Sequence, residues 1–310
     1  MSAATIVVVG SLNMDFVAAV ERLPAPGETV LGRDFQMIPG GKGANQACAA
    51  ARLASPSTRV KMVGRVGYDV FGDHLKASLS AAGVDVSAVH ATRASATGVA
   101  LISVDRSGQN SIVVASGANH ALAASDVEAM RPVFRGARVV LFQLESPLDT
   151  VSAALRLARE EGARTILDPA PAQPLPAELL ENVDILTPNE SEALLLLGHP
   201  PGRVERAQAP PLAGFLGGLG PQSVVLKLGD RGSFYYDGQI ELFSDAFPVT
   251  ARDTTAAGDV FNAALAVGLA EDRPIAEALR LANAAAGISV TRAGAQSSIP
   301  SRGEVEALIS

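Results

Sequence analysis

Apolar positions along the chain follow two rhythms. Short unbroken runs such as Thr5-Ile6-Val7-Val8-Val9 and Val224-Val225-Leu226 alternate with longer helix-compatible segments such as 148–161 and 260–270. A strand that is apolar at every residue is one buried on both faces. The runs predict strands at 5–9, 59–63, 138–143, 165–167, 185–187 and 224–227. Between and after them the pattern predicts helices at 44–53, 71–82, 148–161, 190–197, 260–270 and 275–291. Strand and helix in alternation predict a mainly parallel sheet with helices on both faces, a three-layer α/β/α sandwich.

Two stretches break the rhythm. Residues 14–40 and 96–115 carry alternating segments such as Thr97-Gly98-Val99-Ala100-Leu101-Ile102-Ser103-Val104, with no helix between them. Asp105-Arg106-Ser107-Gly108 is a turn signal between two such segments and predicts a hairpin. Together the stretches predict a small antiparallel β lid, leaving 1–13, 41–95 and 116–310 to the sandwich. Segment 198–222 is rich in Pro and Gly and reads as a surface connection.

Composition narrows the chemistry. With 310 residues, 48% hydrophobic and 18% charged, the chain can bury one large core, with or without a small second domain. The net charge of −7, without a basic stripe, argues against a nucleic-acid partner. The single cysteine, Cys48, excludes an internal disulfide and a cysteine-based zinc site, and its Ala-rich helical setting predicts a buried thiol. His74, His90, His120 and His199 are scattered without metal-ligand spacing. The apolar run at 3–9 lacks a basic leader and is far too short to span a bilayer, so a cytoplasmic protein without membrane contact is expected.

The richest stretch is Asp253-Thr254-Thr255-Ala256-Ala257-Gly258-Asp259, followed by an apolar helical run. Ala256, Ala257 and Gly258 leave no bulk over the first turn, so an anion can reach unpaired N–H groups at the positive end of the helix. Asp259 would stand beside those amides, placed to take a proton from a hydroxyl attacking a bound phosphate; a plain capping carboxylate is the other reading. Gly40-Gly41-Lys42-Gly43-Ala44-Asn45 does not have phosphate-loop spacing, since Ile38-Pro39 precede it and Gly43 follows the lysine. Gly10-Ser11-Leu12-Asn13 lacks the later glycines of a dinucleotide fingerprint. A glycine cluster opening a helix is then either a tight turn or a close backbone approach to a polar ligand.

Several motifs occur in one order: Gly10 to Asp15, Pro26-Gly27-Glu28-Thr29, Gly40 to Gln46, Gln143-Leu144-Glu145-Ser146-Pro147, Thr187 to Glu192, Asp253 to Asp259, and Val290 to Gln296. Together they resemble the ribokinase-like carbohydrate kinase family over nearly the whole chain. The Asn-x-Asp, Gln-Leu-Glu-Ser-Pro and terminal motifs point within that family to ribose. The resemblance implies ATP-dependent phosphorylation of the ribose 5-hydroxyl, with another family kinase (for deoxyribose, fructose or a nucleoside) or a non-catalytic sugar sensor as alternatives.

Carried over position by position, the resemblance makes Asp259 the base and Gly258 part of an anion hole. It assigns Asn13, Asp15, Gly41, Lys42, Asn45 and Glu145, with Asp259, to the sugar. An Asx turn at Asn13 and Asp15, and a helix-start charge at Glu145, are the plainer readings of those residues. Asn189 and Glu192 match an element tied to magnesium and phosphate, Glu192 acting through water; a capping box suits the same spacing. Lys227, Leu228, Gly229, Asp230, Arg231 and Gly232 resemble the nucleotide loop, and Asn283 would lie near adenine. Lys227 departs from the pattern, in which threonine is usual, and either reaches a phosphate as a point charge or faces solvent. Asp253, Thr255, Ser289, Arg292, Gly294 and Ser298 match a potassium-binding loop. The resemblance also implies a homodimer paired through the lids.

Overall fold

The computed structural model describes residues 4–310, so residues 1–3, including the first residue of the apolar run at 3–9, lie outside the described part. In chain order the first half contains β1 (Thr5–Val9), β2 (Asn13–Val20), β3 (Gly32–Gly40), α1 (Lys42–Leu53), β4 (Arg59–Gly67), α2 (Val70–Ala81), β5 (Val84–Thr92), β6 (Gly98–Val104) and β7 (Asn110–Ala115). There follow α3 (Ala124–Ala129), α4 (Arg131–Phe134), β8 (Val139–Phe142), α5 (Leu148–Glu160), β9 (Arg164–Leu167), α6 (Ala177–Leu180), β10 (Ile185–Leu186) and α7 (Glu190–Leu196). The chain closes with α8 (Ala209–Gly217), β11 (Ser223–Lys227), β12 (Ser233–Tyr236), β13 (Glu241–Ser244), α9 (Ala257–Ala270), α10 (Ile275–Ser289) and α11 (Arg302–Ile309).

Nine strands form the main sheet in the order β13-β12-β11-β10-β9-β8-β1-β4-β5. All its pairings are parallel except those of β12 with β11 and β13. Side chains leave alternate faces of a strand, and β1 shows why its run is apolar throughout. Ile6 and Val8 enter the core shared with α1, α9 and α10, whereas Val7 and Val9 enter the core shared with α5. Leu141 of β8 is fully buried, and shortening it to alanine would cost about 2–5 kcal/mol. The three-layer sandwich expected from the sequence is the fold observed.

The second sheet runs β3-β2-β6-β7. Its outer pairings are antiparallel, and Asp105–Gly108 turns the β6–β7 hairpin, with Gly108 N–H donating to the Asp105 carbonyl at 3.1 Å. The central pair, β2 with β6, is parallel, because β1 feeds β2 and the β4–α2–β5 unit feeds β6 from the same end.

Segment 198–222 is not only a surface connection: it contains α8, whose Ala209, Leu212, Ala213 and Leu216 are buried against Val224, Leu226 and Phe234. Pro210 and Pro211 sit in its first turn, where the missing N–H groups cost nothing. α9 is buried on every side from Asp259 to Ala270, and a Cβ added at Gly268 would stand 2.8 Å from the Cβ of Ala278 on α10. Its small residues therefore serve close helix packing. No described helix is long and apolar enough to cross a membrane.

Candidate active site

Loops leaving the carboxyl ends of the parallel strands converge on one region, as they do in open α/β sheets generally. β1 delivers Ser11 and Asn13, β8 delivers Gln143 and Glu145, β9 delivers Asp168, and β11 ends on Lys227. Ser11 Oγ donates to Glu145 Oε2, which also accepts the Lys42 N–H at 3.2 Å. Asn13 Oδ1 accepts from Asn119 Nδ2 at 2.7 Å, and Asn119 itself is bonded to both backbone groups of Leu12. The small sheet brings Asp15 over this floor. A Cβ added at Gly40 would lie 2.2 Å from Asp15 Oδ2, so the glycine makes room for the carboxylate. Burial, then the charges of Glu145 and Asp259, push Asp15 up to about 7 against the pull of Lys42.

Asp259 occupies the third position of α9. Its N-cap is Ala256, in the left-handed region with φ 59° and no side-chain cap, so Asp259 does not cap its own helix. Among the described residues no protein acceptor meets the N–H groups of Gly258 and Asp259. Asn45 Nδ2 donates to Asp259 Oδ2 at 3.0 Å and Gln46 Nε2 to Oδ1 at 3.1 Å. Burial raises the Asp259 carboxyl to about 6; Lys42 and these hydrogen bonds oppose the rise, and Asp168 adds to it. Burial works against the charge on Lys42, but Asp259, Glu145, Asp168 and Glu192 hold its ammonium above the usual lysine range.

A cavity of about 970 Å³ extends from Lys42, Asp168, Glu192, Lys227, Gly258 and Asp259 at its polar end to Phe247, Val249, Ala251, Ala286, Gly287 and Val290 at an apolar end. Asn283 lines it, donating from Nδ2 to Ser233 Oγ and to the carbonyl and hydroxyl of Ser244. Gly229, Asp230 and Gly232 also line it, but Leu228 and Arg231 do not. Leu228 is buried in the core with Phe234, and Arg231 is bonded to Glu190 and to the Val204 carbonyl. Those two positions shape the loop from behind. Asn189 caps α7 and shares a reciprocal capping box with Glu192, using only one carboxylate oxygen of the latter, Oε2. Burial raises the Glu192 carboxyl, with Lys227 opposing.

Beside the start of α9, Asp253 joins two loops. Its Oδ1 accepts from Thr255 N and Oγ1, and its Oδ2 accepts the Gly294 N–H at 2.8 Å. Ser289 and Ser298 are buried, each hydroxyl donating to a carbonyl, whereas the Arg292 side chain pairs with Glu304.

Sequence reasoning left Asp168 without a role. Its Oδ1 accepts from Lys227 Nζ at 2.8 Å and its Oδ2 from Gln46 Nε2 at 3.1 Å. The available signal is a carboxylate directly after the strand predicted at 165–167, at the end of the sheet where open α/β folds bind ligands. Asn119 carries no such signal, because it acts from a 3₁₀ turn on the backbone of Leu12.

The chain belongs to the pfkB family of carbohydrate kinases, whose profile matches residues 3–302. It is 41% identical over 300 residues to the ribokinase of Haemophilus influenzae, covering 97% of this chain and 96% of that one. The Bacillus subtilis ribokinase is 42% identical over 309 residues, covering 98% of this chain and 99% of the relative. Among solved structures, Arabidopsis thaliana ribokinase complexed with ribose and ATP superposes with a TM-score of 0.89 at 36% identity, covering 99% of each chain.

Proposed function

We propose that this protein transfers the terminal phosphoryl group of ATP to the 5-hydroxyl of D-ribose, giving ribose 5-phosphate and ADP. The observation that carries the reading is Asp259, held by Asn45 and Gln46 beside free amides at the start of α9, where it lines the cavity near Asp15 and Lys42. Full-length similarity to ribokinases of two bacteria and a plant supports it.

In this reading Asp259 takes the hydroxyl proton as the sugar oxygen bonds to phosphorus and the bond from phosphorus to the ADP oxygen breaks. The amides of Gly258 and Asp259 bind the oxygens on which charge develops. Asn13, Asp15, Gly41, Lys42 and Glu145 receive the ribose hydroxyls, and Asn45 serves the sugar from its place on Asp259. Gly229, Asp230, Gly232 and Asn283 border the nucleotide, Asn189 lies at its phosphate end, and Leu228 and Arg231 support the loop. The small sheet, 14–40 with 96–115, closes over the sugar as a lid.

Magnesium, when bound, shields phosphate charge; the free Oε1 of Glu192 suits it, since this ion keeps several waters and needs few protein ligands. Potassium fits the Asp253 loops through the segments carrying Thr255, Ser289, Arg292, Gly294 and Ser298, where Asp253 supplies the one carboxylate. Replacing potassium by a bulky organic cation at equal ionic strength should lower kcat, and equal rates would rule the ion out. The lid leaves Phe35, Met37, Leu101, Ile112 and Val113 exposed, a surface that suits pairing with a second lid in a homodimer. Leu101→Lys should then weaken dimerisation and ribose affinity together; a wild-type monomer at micromolar concentration with full activity refutes the pairing. Dependence on ATP supports a cytoplasmic setting.

The deciding experiment is ADP release with ribose, 2-deoxyribose, fructose and adenosine. Ribose should give the highest kcat/KM. Losing a hydroxyl that pairs with a buried polar group costs about 1–3 kcal/mol, so 2-deoxyribose should be weaker. Greater efficiency with a nucleoside would overturn the assignment, and no turnover at all would favour a sensor.

A further inference from the structure

We infer that Asp168 is a positioning residue that holds the ammonium of Lys227 over the α9 amides, where it binds the phosphoryl group in transfer. The inference rests on the kinase reading. The two side chains leave the ends of β9 and β11 and meet across β10, with Nζ 2.8 Å from Oδ1. A Cβ added at Gly258 would stand 3.4 Å from Lys227 Nζ, so the cation lies against the helix start where the free amides are. Lys42 and Glu192 line the same end of the cavity.

Stability alone does not account for the pair. Both partners are nearly sealed from water, the side chains 11% and 3% exposed, and such a pair often contributes no more than apolar residues of the same volume. Asp168 is bonded on both sides. One oxygen holds Lys227; the other accepts from Gln46 Nε2, and the same nitrogen donates to Asp259 Oδ1. One carboxylate thus fixes the cation and, through a single amide, the base. Only one of the three N–H donors of Lys227 meets a protein acceptor among the described residues, leaving two for phosphate oxygens. Lysine at 227 is also the point at which the chain departs from the sequence pattern it otherwise follows.

The test uses the double variant Lys227→Met/Asp168→Asn, which removes one positive and one negative charge together. Calorimetry with adenosine and with a non-hydrolysable ATP analogue is set beside kcat on ribose. Affinity for the analogue and kcat should each fall about 10- to 100-fold, the value of a charged hydrogen bond, with adenosine affinity unchanged. Unchanged analogue affinity and kcat would overturn the inference, as would an equal loss for adenosine. Asp168→Asn alone removes a charge that raises Asp259, so the part of the acid limb of kcat/KM set by Asp259 should move to lower pH; a limb that stays in place defeats the positioning role. If the wild-type protein binds the analogue yet does not phosphorylate ribose, the kinase reading fails, and the binding comparison still decides what Lys227 holds.

Discussion

At the carboxyl ends of the strands lies the cavity of about 970 Å³ containing Asp259; at their amino ends lies one of about 990 Å³, and the two share no lining residue. Both are rich in charge. In the lower cavity Arg138 reaches the Ala270 carbonyl and Asp272, and Arg159 reaches the Glu181 carbonyl with Asp184 beside it. Arg273 has Glu271 and Glu306 within 4 Å. The Arg138–Asp272 pair faces water, its side chains 39% and 72% exposed, while Asp184 and Glu271 are more covered but paired with arginine. Around the upper cavity Asp15, Glu145, Asp168, Glu192 and Asp259 outnumber Lys42 and Lys227, and the burial that crowds them raises three of the carboxyls. Size does not separate the two cavities. Unbalanced charge held out of water does, because it carries a cost that a bound, charged substrate can relieve.

The strongest way to sharpen that contrast is to remove one carboxylate from each end. Asp259→Asn should lower kcat by about 10²–10⁴, the usual value of a general base, while calorimetry shows ADP still binding. Asp272→Asn should leave kcat where it was. Similar losses from both would erase the distinction.

A smaller effect is the pH profile. The Asp259 carboxyl is raised to about 6, so its basic form is lost as pH falls through that value. Asp15, raised to about 7, is protonated first, so the acid limb of kcat/KM, which reports the free enzyme, should begin near pH 7 and steepen beyond about tenfold per unit below pH 6, where Asp259 follows. A flat profile from pH 7 to pH 5 would break the link between burial and the base, and Asp272→Asn should not shift the limb.

The smallest effect belongs to the lower end. Arg138→Gln should change stability by about 0–1 kcal/mol, as exposed ion pairs do, with no change in kcat. Thermal denaturation showing a much larger loss would mean that the lower charges are not the solvated pairs described.

Much of this division was legible in the sequence, and the exceptions have physical reasons. β1, β8 and the body of α9 are almost wholly apolar because they are buried on all sides, and an element with one face in water does not produce that pattern. β5 was missed because it is an edge strand, whose alternating burial follows directly on α2. β12 and β13 are short antiparallel strands at the opposite edge and do not repeat the strand–helix rhythm. α8 was hidden by two prolines that mark a helix start as readily as a loop. At the site, Asn45 was expected at the sugar, and the structure puts its amide on Asp259. Asp168 shows the limit most clearly. Its place after a strand was readable, but its partners Lys227 and Gln46 are distant in sequence and met only through the order of the strands.

The parallel pairing of β2 with β6 has a consequence in time. Asn13 pairs with Gly98, and no local hairpin can bring those two together. The β4–α2–β5 unit lies between the two partners in the chain, so their pairing closes a long loop at an entropic cost and is expected late in folding. Asn119, which bonds the Leu12 backbone and Asn13, follows β6 and β7 in the chain, so its contacts depend on the same loop closure. The Asn13–Asn119 corner of the cleft is then expected to form late, and in a refolding experiment ribose binding should recover behind the burial of the main core.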